Sequence, residues 1–249
     1  MIVEAISKSR ATLVRALHRR KGRREHGAFL AEGERTLDEL ARSDASLRFG
    51  FARSERLELL GAIFPGLPIF GVDERLDGLF ATESPQGLAV VVEMPEPASL
   101  EELDELDPPL LVLDGVADPG NVGTIVRSAE WFGMGGVVLL SGCADPFNPK
   151  SVRASMGSLV RVPIVEVAAT ELAALDRPLF VLDAGGGLTL GRDPLPRRGA
   201  YAIGSEAHGV SAEVALRGAG VSIAGAGHVE SLNAAVAASI LCYELSRIA

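Results

Sequence analysis

The stretch LLVLDGVADPGNVGTIVRSAEWFG, residues 110–133, decides the fold class of this chain. LLVLD is a near-continuous apolar run, which is typical of a strand buried on both faces of a sheet. A Pro-Gly turn follows, and apolar residues then recur at helical spacing, so we predict a helix over residues 121–133. A buried strand that leads directly into a helix is the repeating unit of α/β folds.

The same alternation continues to the end of the chain. GVVLL at 136–140 reads as a second buried strand, and residues 148–167 read as a helix followed by a strand. LFVLD, AYAIG and VSIA read as further strands, and residues 233–247 form the final predicted helix. Such repeated units predict a mostly parallel sheet with helices on both faces. Residues 1–95 show a separate α/β pattern of helices alternating with strands.

An acidic, proline-rich segment separates the two patterns. Residues 93–109, EMPEPASLEELDELDPP, contain four prolines and seven acids, a composition that indicates a linker. We therefore predict an N-terminal domain over residues 1–95, a linker over residues 96–108 and a C-terminal domain over residues 109–249.

The composition favours a cytoplasmic globular protein. Hydrophobic residues make up 47 % and charged residues 23 % of the 249 residues, as in ordinary globular domains. No apolar run approaches the roughly 20 residues of a membrane span, and the N-terminus lacks the apolar core of a signal peptide. Cys143 and Cys242 are read as free thiols, because cytosolic chains rarely form disulfides.

The charge distribution is strongly asymmetric. The whole chain carries a net charge of −9, yet residues 1–24 carry eight Lys or Arg residues against the single acid Glu4. A basic arm on an acidic body is expected when one surface meets phosphate groups and the others keep the protein dispersed. A basic helix that is merely solvated is the alternative, because basic runs are common.

The first motif, residues 113–133, offers two polar candidates. Asn121 is predicted as the N-cap of the helix, a role that alone would account for it. Arg127 falls roughly opposite the apolar stripe of the helix, and Trp131 lies four residues on, where a cation–π contact is feasible. A solvated arginine is the alternative, but open α/β sheets bind ligands near such strand-to-helix turns.

The second motif, AIGSEAHGVS at 202–211, leaves a strand through Gly204 and closes at Gly209. Glycines at such a turn let a ligand approach the backbone. Glu206 is a candidate hydrogen-bond acceptor for a partner or ligand hydroxyl and, alternatively, a cap of the next turn. His208 is read as incidental, and the four histidines show no ligand spacing, so no metal site is predicted.

The third motif, VESLNAAVAASILCYEL at 229–245, opens the final helix. Ser231 is predicted as its N-cap and Asn233 lies in its first turn, whereas the rest of the segment reads as an ordinary core helix. A glycine-rich turn at 183–187, DAGGG, suggests a nucleotide site. Its spacing is not G-x-G-x-x-G, so that signal is weak.

These three motifs, in this order, resemble the SpoU (TrmH-like) family of RNA 2′-O-ribose methyltransferases. NPKSVRASMGSLVRVPI at 148–164 is similar to the family as well, and RKGRREHGAFLAEGERTLDEL and ATESPQGLAVVV resemble the substrate-binding domain of many members. The resemblance implies a parallel sheet whose C-terminal segment forms a trefoil knot, a known exception to the rule against knots. It also implies a small ribosomal-protein-like RNA-binding domain, S-adenosylmethionine as cofactor, a homodimer, and ribosomal RNA as substrate, with transfer RNA as the alternative.

The resemblance also implies roles for single residues. The catalytic positions would be Asn121, Arg127, Glu206, Ser231 and Asn233. The cofactor would be held by Leu182, Asp183, Ala184, Gly185, Ile203, Gly204, Ser205, Glu206, Ile223, Ala224, Ser231, Leu232 and Asn233. RNA would be bound by Arg19, Arg20, Arg23, Arg24 and Arg153.

Several alternatives stay open at this level. The chain has Ala224-Gly225 where family members often carry Pro-Met, which predicts a looser cofactor pocket. Arg127 is either a general base or a clamp on a phosphate group, and a guanidinium group gives up its proton reluctantly, which makes it a poor base. A knotted RNA-binding protein without turnover and a nucleotide-dependent oxidoreductase built on DAGGG are the rival functions.

Overall fold

A computed structural model of the chain describes residues 4–229 and 231–247. Its strands are β1 (Ala28–Glu32), β2 (Leu47–Arg53), β3 (Ile69–Val72), β4 (Leu88–Glu93), β5 (Leu110–Asp114), β6 (Gly136–Leu139), β7 (Ile164–Glu166), β8 (Leu179–Leu182), β9 (Leu188–Thr189), β10 (Ala200–Gly204) and β11 (Ala219–Ser222). Its helices are α1 (Lys8–Leu17), α2 (Arg20–His26), α3 (Glu34–Ala41), α4 (Leu57–Ile63), α5 (Leu100–Glu105), α6 (Pro119–Trp131), α7 (Pro149–Ser155), α8 (Ala212–Ala215) and α9 (Ala234–Ser246). Within the described ranges, none of the helices has the length and apolar character needed to cross a bilayer.

Contacts divide the chain into two compact units. Unit 1 combines the residues up to Glu96 with Asp145–Arg161, and unit 2 combines Pro97–Ala144 with the residues from Val162 onward. The predicted domain boundaries differ from this division in one main respect, because they assign residues 145–161 to the C-terminal domain. The acidic segment predicted as a linker folds with unit 2 from Pro97 onward.

Unit 1 is built on a four-stranded mixed sheet. The strand order is β1-β4-β2-β3, with β4 antiparallel to both of its neighbours and β2 parallel to β3. All five residues of β1 are buried, as expected for a strand covered on both faces. In α1, Ala11, Val14 and Leu17 recur every three residues and bury one helix face in the core of the unit.

The segment 145–161 completes unit 1 from a distant part of the sequence. Helix α7 packs on β1, and the ring of Phe147 lies 5.1 Å from that of Phe29, centroid to centroid. Ser151 and Ser155 of α7 are buried, and their hydroxyls donate to backbone carbonyls at 3.1 and 2.8 Å. These contacts give unit 1 a core that no contiguous stretch of the chain contains.

Unit 2 is built on a seven-stranded sheet with the order β7-β6-β5-β10-β8-β11-β9. Every neighbouring pair is parallel, so the predicted mostly parallel α/β fold is confirmed. From β5 the chain moves outward through β6 and β7 and then returns to the other side of β5. The strand order therefore switches between β5 and β10, and such a switch point is where open α/β sheets bind ligands.

The acidic segment before β5 is folded onto unit 2 rather than extended. Ser99 and Glu102 form a capping box at the start of α5. The fully buried side chain of Arg177 donates to Asp104 Oδ1 at 2.8 Å and to the Leu106 carbonyl at 2.8 Å. Burial raises the pKa of Asp104, but the hydrogen bonds from Arg177 and the Asp176 amide outweigh it, and the net pKa is lowered.

Candidate active site

Two of the three sequence motifs meet at the switch point. Asp114 ends β5 and Gly204 ends β10, and the two residues are partners in the parallel register of these strands. The loop after β5 leads into α6, and the loop after β10 carries Glu206. Helix α9, which makes up most of the third motif, packs against α6. Of this third motif, Glu230 lies outside the described residues.

The start of α6 differs from the prediction. Asp118, not Asn121, is the N-cap, and its Oδ1 accepts a hydrogen bond from the Asn121 amide at 3.0 Å. Pro119 occupies the first helical position, where its missing N–H costs nothing, so the helix begins two residues earlier than predicted. The prediction of Asn121 as N-cap was wrong, and the Asn121 side chain is left available for other contacts.

The start of α9 is shifted in the opposite direction. Asn233, not Ser231, is the N-cap, and its Oδ1 accepts from the amides of Ala235 at 3.0 Å and Val236 at 3.2 Å. Ser231 lies two residues before the cap and is exposed. The prediction of Ser231 as N-cap was therefore wrong. An exposed hydroxyl beside the helix start still has room for a ligand.

A line of hydrogen bonds joins the three motifs. Asn233 Nδ2 donates to Asn121 Oδ1 at 3.2 Å, and Asn121 Nδ2 donates to Glu206 Oε1. The direction of the line follows from its first member, because the oxygen of Asn233 is already used by α9 and only its nitrogen remains to donate. Asn233, Asn121 and Glu206, all candidate site residues in the sequence, are thus joined by hydrogen bonds into one polar group.

The loop that carries Glu206 is closed tightly on itself. The amides and carbonyls of Ser205 and Gly209 bond each other reciprocally at 3.0 and 2.9 Å. A Cβ at Gly204 would lie 1.9 Å from the Gly209 carbonyl carbon, so only glycine fits there. His208 is exposed, and its amide donates to Ser205 Oγ at 3.1 Å. The loop therefore presents Glu206 from a fixed backbone.

Arg127 lies on α6 with an exposed side chain. The neighbouring Ser128 shares a hydrogen bond of 2.8 Å with Ser239 of α9, which fixes the two helices to each other. Trp131 is 82 % exposed, and within residues 4–229 and 231–247 the guanidinium–ring contacts do not include a pair with Arg127. The predicted contact between Arg127 and Trp131 is therefore not found among those residues.

The predicted cofactor residues follow three neighbouring strands. The strands β10, β8 and β11 are adjacent and parallel, so the loops after Gly204, Leu182 and Ser222 leave from the same edge of the sheet. A Cβ at Gly186 would lie 2.6 Å from the Val221 nitrogen, which shows how closely the glycine-rich turn crosses β11. Half-buried Leu182 and Ile223 offer apolar surface beside exposed loop backbone. This surface fits a cofactor held largely by backbone groups.

One thiol lies near the same edge. Cys143 Sγ donates to the Leu113 carbonyl at 3.1 Å, and burial raises the pKa of this thiol above its ordinary value. A thiol that stays protonated is a poor nucleophile, so Cys143 has no evident chemical part in the site. Throughout the described part of the chain, His, Cys, Asp and Glu side chains form no cluster of three that would hold a metal ion.

The predicted RNA-binding arginines lie in unit 1 and divide into two groups. Arg19, Arg20, Arg24 and Arg153 are exposed. Arg23 is only 2 % exposed; its guanidinium is paired with Asp145 and donates to the Leu17 carbonyl at 2.7 Å. The prediction of Arg23 as an RNA contact was wrong, because its partner lies 122 residues away in sequence and the burial is not visible from composition.

Sequence reasoning also missed two acids of the site. Asp118 was passed over as a cap, although an Asp followed by Pro is a recognised start of a helix. Asp114 was not assigned any role, yet it is 8 % exposed and accepts a hydrogen bond from the Ser211 amide at 2.6 Å. No sequence signal marks that bond, because it joins residues 97 apart.

Fold and site together define an α/β protein with a candidate ligand site at the carboxyl edge of a parallel sheet. The model of the SpoU rRNA Methylase family matches residues 108–243, and the model of the MRM3-like substrate binding domain matches residues 9–90. The chain belongs to the SpoU rRNA methylase family, so the resemblance inferred from the three motifs is confirmed.

Named relatives support the same assignment. The 23S rRNA (guanosine(2553)-2′-O)-methyltransferase RlmP of Bacillus subtilis (strain 168) is 32 % identical over 235 residues, which are 92 % of each protein. The SpoU methyltransferase AviRb from Streptomyces viridochromogenes, solved in complex with the cofactor AdoMet, is 28 % identical and has a TM-score of 0.83. The match covers 97 % of this chain and 98 % of the AviRb chain. An AdoMet-bound rRNA methyltransferase from Sinorhizobium meliloti is 25 % identical, with a TM-score of 0.81 and coverage of 98 % and 97 %.

Proposed function

We propose that this chain transfers a methyl group from S-adenosylmethionine to the 2′-hydroxyl of a ribose in ribosomal RNA. The observation that carries the proposal is the hydrogen-bonded line of Asn233, Asn121 and Glu206, which unites the three motifs at the switch point of the sheet. The relative RlmP is a 2′-O-methyltransferase of 23S rRNA, and solved relatives contain AdoMet. The reaction requires RNA rather than DNA, because only RNA has a 2′-hydroxyl.

The cofactor would lie in the loops after β8, β10 and β11. The residues proposed to hold it are Leu182, Asp183, Ala184, Gly185, Ile203, Gly204, Ser205, Glu206, Ile223, Ala224, Ser231, Leu232 and Asn233. When bound, S-adenosylmethionine supplies a methyl group on a positively charged sulfur. We also propose that these loops form the trefoil knot of the family, which the close crossing of Gly186 over β11 supports.

The residues of the chain then have to align the ribose and ease the loss of its hydroxyl proton. Arg127 would bind the phosphate next to the reacting ribose and stabilise the negative charge that develops on the 2′-oxygen. Ser231 and Asn233 would orient the ribose. Glu206 would act through Asn121, holding the amide line in one direction.

The RNA would be held mainly by unit 1. Arg19, Arg20, Arg24 and Arg153 present exposed guanidinium groups there, and phosphate contacts supply most of the affinity of proteins for nucleic acids. We also propose a cytoplasmic location, which fits the action of the bacterial relative RlmP on 23S rRNA.

A homodimer is the proposed assembly. Large exposed apolar side chains lie on and beside α6 and α9: Trp131 of α6, Leu232 just before α9, and Val236 and Tyr243 of α9 are 82, 43, 48 and 49 % exposed. Large exposed apolar side chains that lie on two packed helices mark an interaction surface. We call these four residues the α6/α9 apolar surface.

The first test is calorimetric titration of the purified protein with S-adenosylmethionine and, in parallel, with NAD. We expect the first ligand to bind and the second not to bind. Transfer of a radiolabelled methyl group is then measured on deproteinised ribosomal RNA, on transfer RNA and on a 2′-deoxy substrate. Labelling of ribosomal RNA alone is the expected result. Binding of NAD, or absence of binding and of transfer with S-adenosylmethionine, would reject the proposed function.

A further inference from the structure

Asp114 is a buried acid at the centre of unit 2. It ends β5, and only 8 % of its surface is exposed. A carboxylate at that depth loses hydration and is retained only when hydrogen bonds compensate for the loss. Oδ2 of Asp114 accepts a hydrogen bond from the Ser211 amide at 2.6 Å. Its carboxylate is thus committed to the loop that follows β10.

Asp114 contacts both ends of that loop. At the first end, Gly204 is its register partner in the sheet. At the other end, the Ser211 amide donates to its carboxylate, and Ser211 occupies the N-cap position of the short helix α8. The six residues between them, 205–210, carry Glu206. Asp114 therefore holds both ends of the loop that carries Glu206.

The Glu206 carboxylate is the terminal acceptor of the hydrogen-bonded line. Its Oε1 accepts a hydrogen bond from Asn121 Nδ2, and Asn121 Oδ1 accepts one from Asn233 Nδ2. A shift of the loop by about 1 Å breaks such a bond, and misplacements of that size cost on the order of 100-fold in rate in enzymes.

We infer that Asp114 is a positioning residue, which holds loop 205–211 so that Glu206 orients the amides of Asn121 and Asn233. The inference rests on the proposed methyl transfer and deepens it. Asp114 acts on the reaction only through Glu206, not through contact with substrate.

Glu102→Ala provides a control for the loss of a carboxylate-to-amide hydrogen bond such as the one between Asp114 and Ser211. Its Oε2 accepts the Ser99 amide at 2.7 Å, which is also a carboxylate-to-amide bond in unit 2. It lies in α5, before β5 begins, whereas Asp114 ends that strand. Loss of Glu102 therefore removes a similar hydrogen bond without touching loop 205–211.

A double-mutant cycle on methyl-transfer rate tests the inference. In single-turnover reactions with saturating cofactor, Asp114→Ala should slow transfer by about 10- to 100-fold. Asp114→Asn should recover most of the rate, because its amide oxygen can accept the same N–H. In a Glu206→Ala background, Asp114→Ala should cause little further loss, and Glu102→Ala should leave the rate unchanged.

A second measurement does not depend on turnover. The side-chain amide resonances of Asn121 in ¹⁵N NMR should move in both Asp114→Ala and Glu206→Ala, and stay in place in Asp114→Asn and Glu102→Ala. Two results would overturn the inference. One is that Asp114→Ala slows methyl transfer by the same factor in the Glu206→Ala background as in the parent protein. The other is that the Asn121 resonances do not respond to Asp114→Ala. If the unaltered protein transfers no methyl group, the proposed function fails and the NMR comparison alone decides the role of Asp114.

Discussion

Arg127 brings a positively charged, planar guanidinium group to the proposed site. Its side chain is exposed on α6, in the first motif and one residue before the serine that binds α9. A planar, charged group in that position matches the geometry of a phosphate. The clamp is therefore the interpretation we favour over a general base.

Arg127→Ala should lower the methyl-transfer rate at least about 100-fold, the usual cost of removing a group that stabilises developing charge. Calorimetric affinity for S-adenosylmethionine should change little, because the proposed cofactor loops belong to other strands. Arg127→Lys separates charge from shape, and a strong loss in that variant would favour the bidentate clamp. An alanine variant that retains most of its activity would end the assignment.

Glu32 of unit 1 is a second residue with a testable charge. Burial raises its pKa above the ordinary value of 4.5, against hydrogen bonds from the Ala81 amide at 2.5 Å and the Thr82 hydroxyl at 3.1 Å. The folded chain therefore holds this proton more tightly than the unfolded chain. That contribution to stability is complete below the unfolded pKa and is lost as pH rises through the folded value.

Glu32→Gln should remove this pH dependence. The glutamine oxygen can accept from Ala81 and its amide can donate to Thr82, so the hydrogen bonds persist without the buried charge. Urea unfolding at a series of pH values should show the variant gaining on the parent protein as pH rises above 4.5. A parent protein that gains on the variant over the same range would contradict the raised pKa.

At the scale of elements, helix α2 is attached to the rest of unit 1 by a buried ion pair. Arg23 pairs with Asp145 with side-chain exposures of 3 and 12 %. Arg48 donates to the carbonyl of His26 at 2.8 Å at the end of the helix. Helix α2 therefore carries the exposed Arg20 and Arg24, while its buried Arg23 fixes the helix in place.

Arg23→Ala should destabilise the protein by about 3–5 kcal/mol, because it leaves Asp145 without its buried partner. Arg19→Ala, which alters an exposed arginine next to the same helix, should change stability by no more than about 0.5 kcal/mol. Denaturant unfolding measures both values. RNA affinity should respond in the opposite order, with weaker binding and a shallower salt dependence for Arg19→Ala. Equal stability losses in the two variants would refute the anchoring role.

The elements also show what sequence reasoning can and cannot reach. Strand β5 and the mostly parallel character of the sheet were predicted from the sequence, because apolar runs that alternate with helical patterns are a local signal. The predicted N-caps Asn121 and Ser231 were wrong by three and two residues, because several capping side chains stand close together and only packing selects one. The burial of Arg23 and the bond of Asp114 to Ser211 depend on partners about 100 residues away, which no local pattern encodes.

At the scale of the whole molecule, the α6/α9 apolar surface predicts self-association. Trp131→Glu places a charge at the most exposed member of that surface, and a charge has to be dehydrated when an interface closes. We expect the parent protein to sediment as a dimer and the variant as a monomer. Leu216→Glu, at an equally exposed leucine outside that surface, serves as the control and should stay dimeric. A monomeric parent protein would exclude the proposed assembly.

The division of unit 1 into two stretches of sequence has a consequence for how the protein is made. A ribosome releases residues up to Glu96 well before Asp145–Arg161, so the first stretch emerges without the partners of Arg23 and Phe29. Domains normally fold as they are synthesised, from the N-terminus onward. Here the N-terminal unit has to wait for about 50 intervening residues, including β5 and α6, before its charge is paired and its core is closed. The first stretch of unit 1 can therefore complete its fold only after the first part of unit 2 has been synthesised.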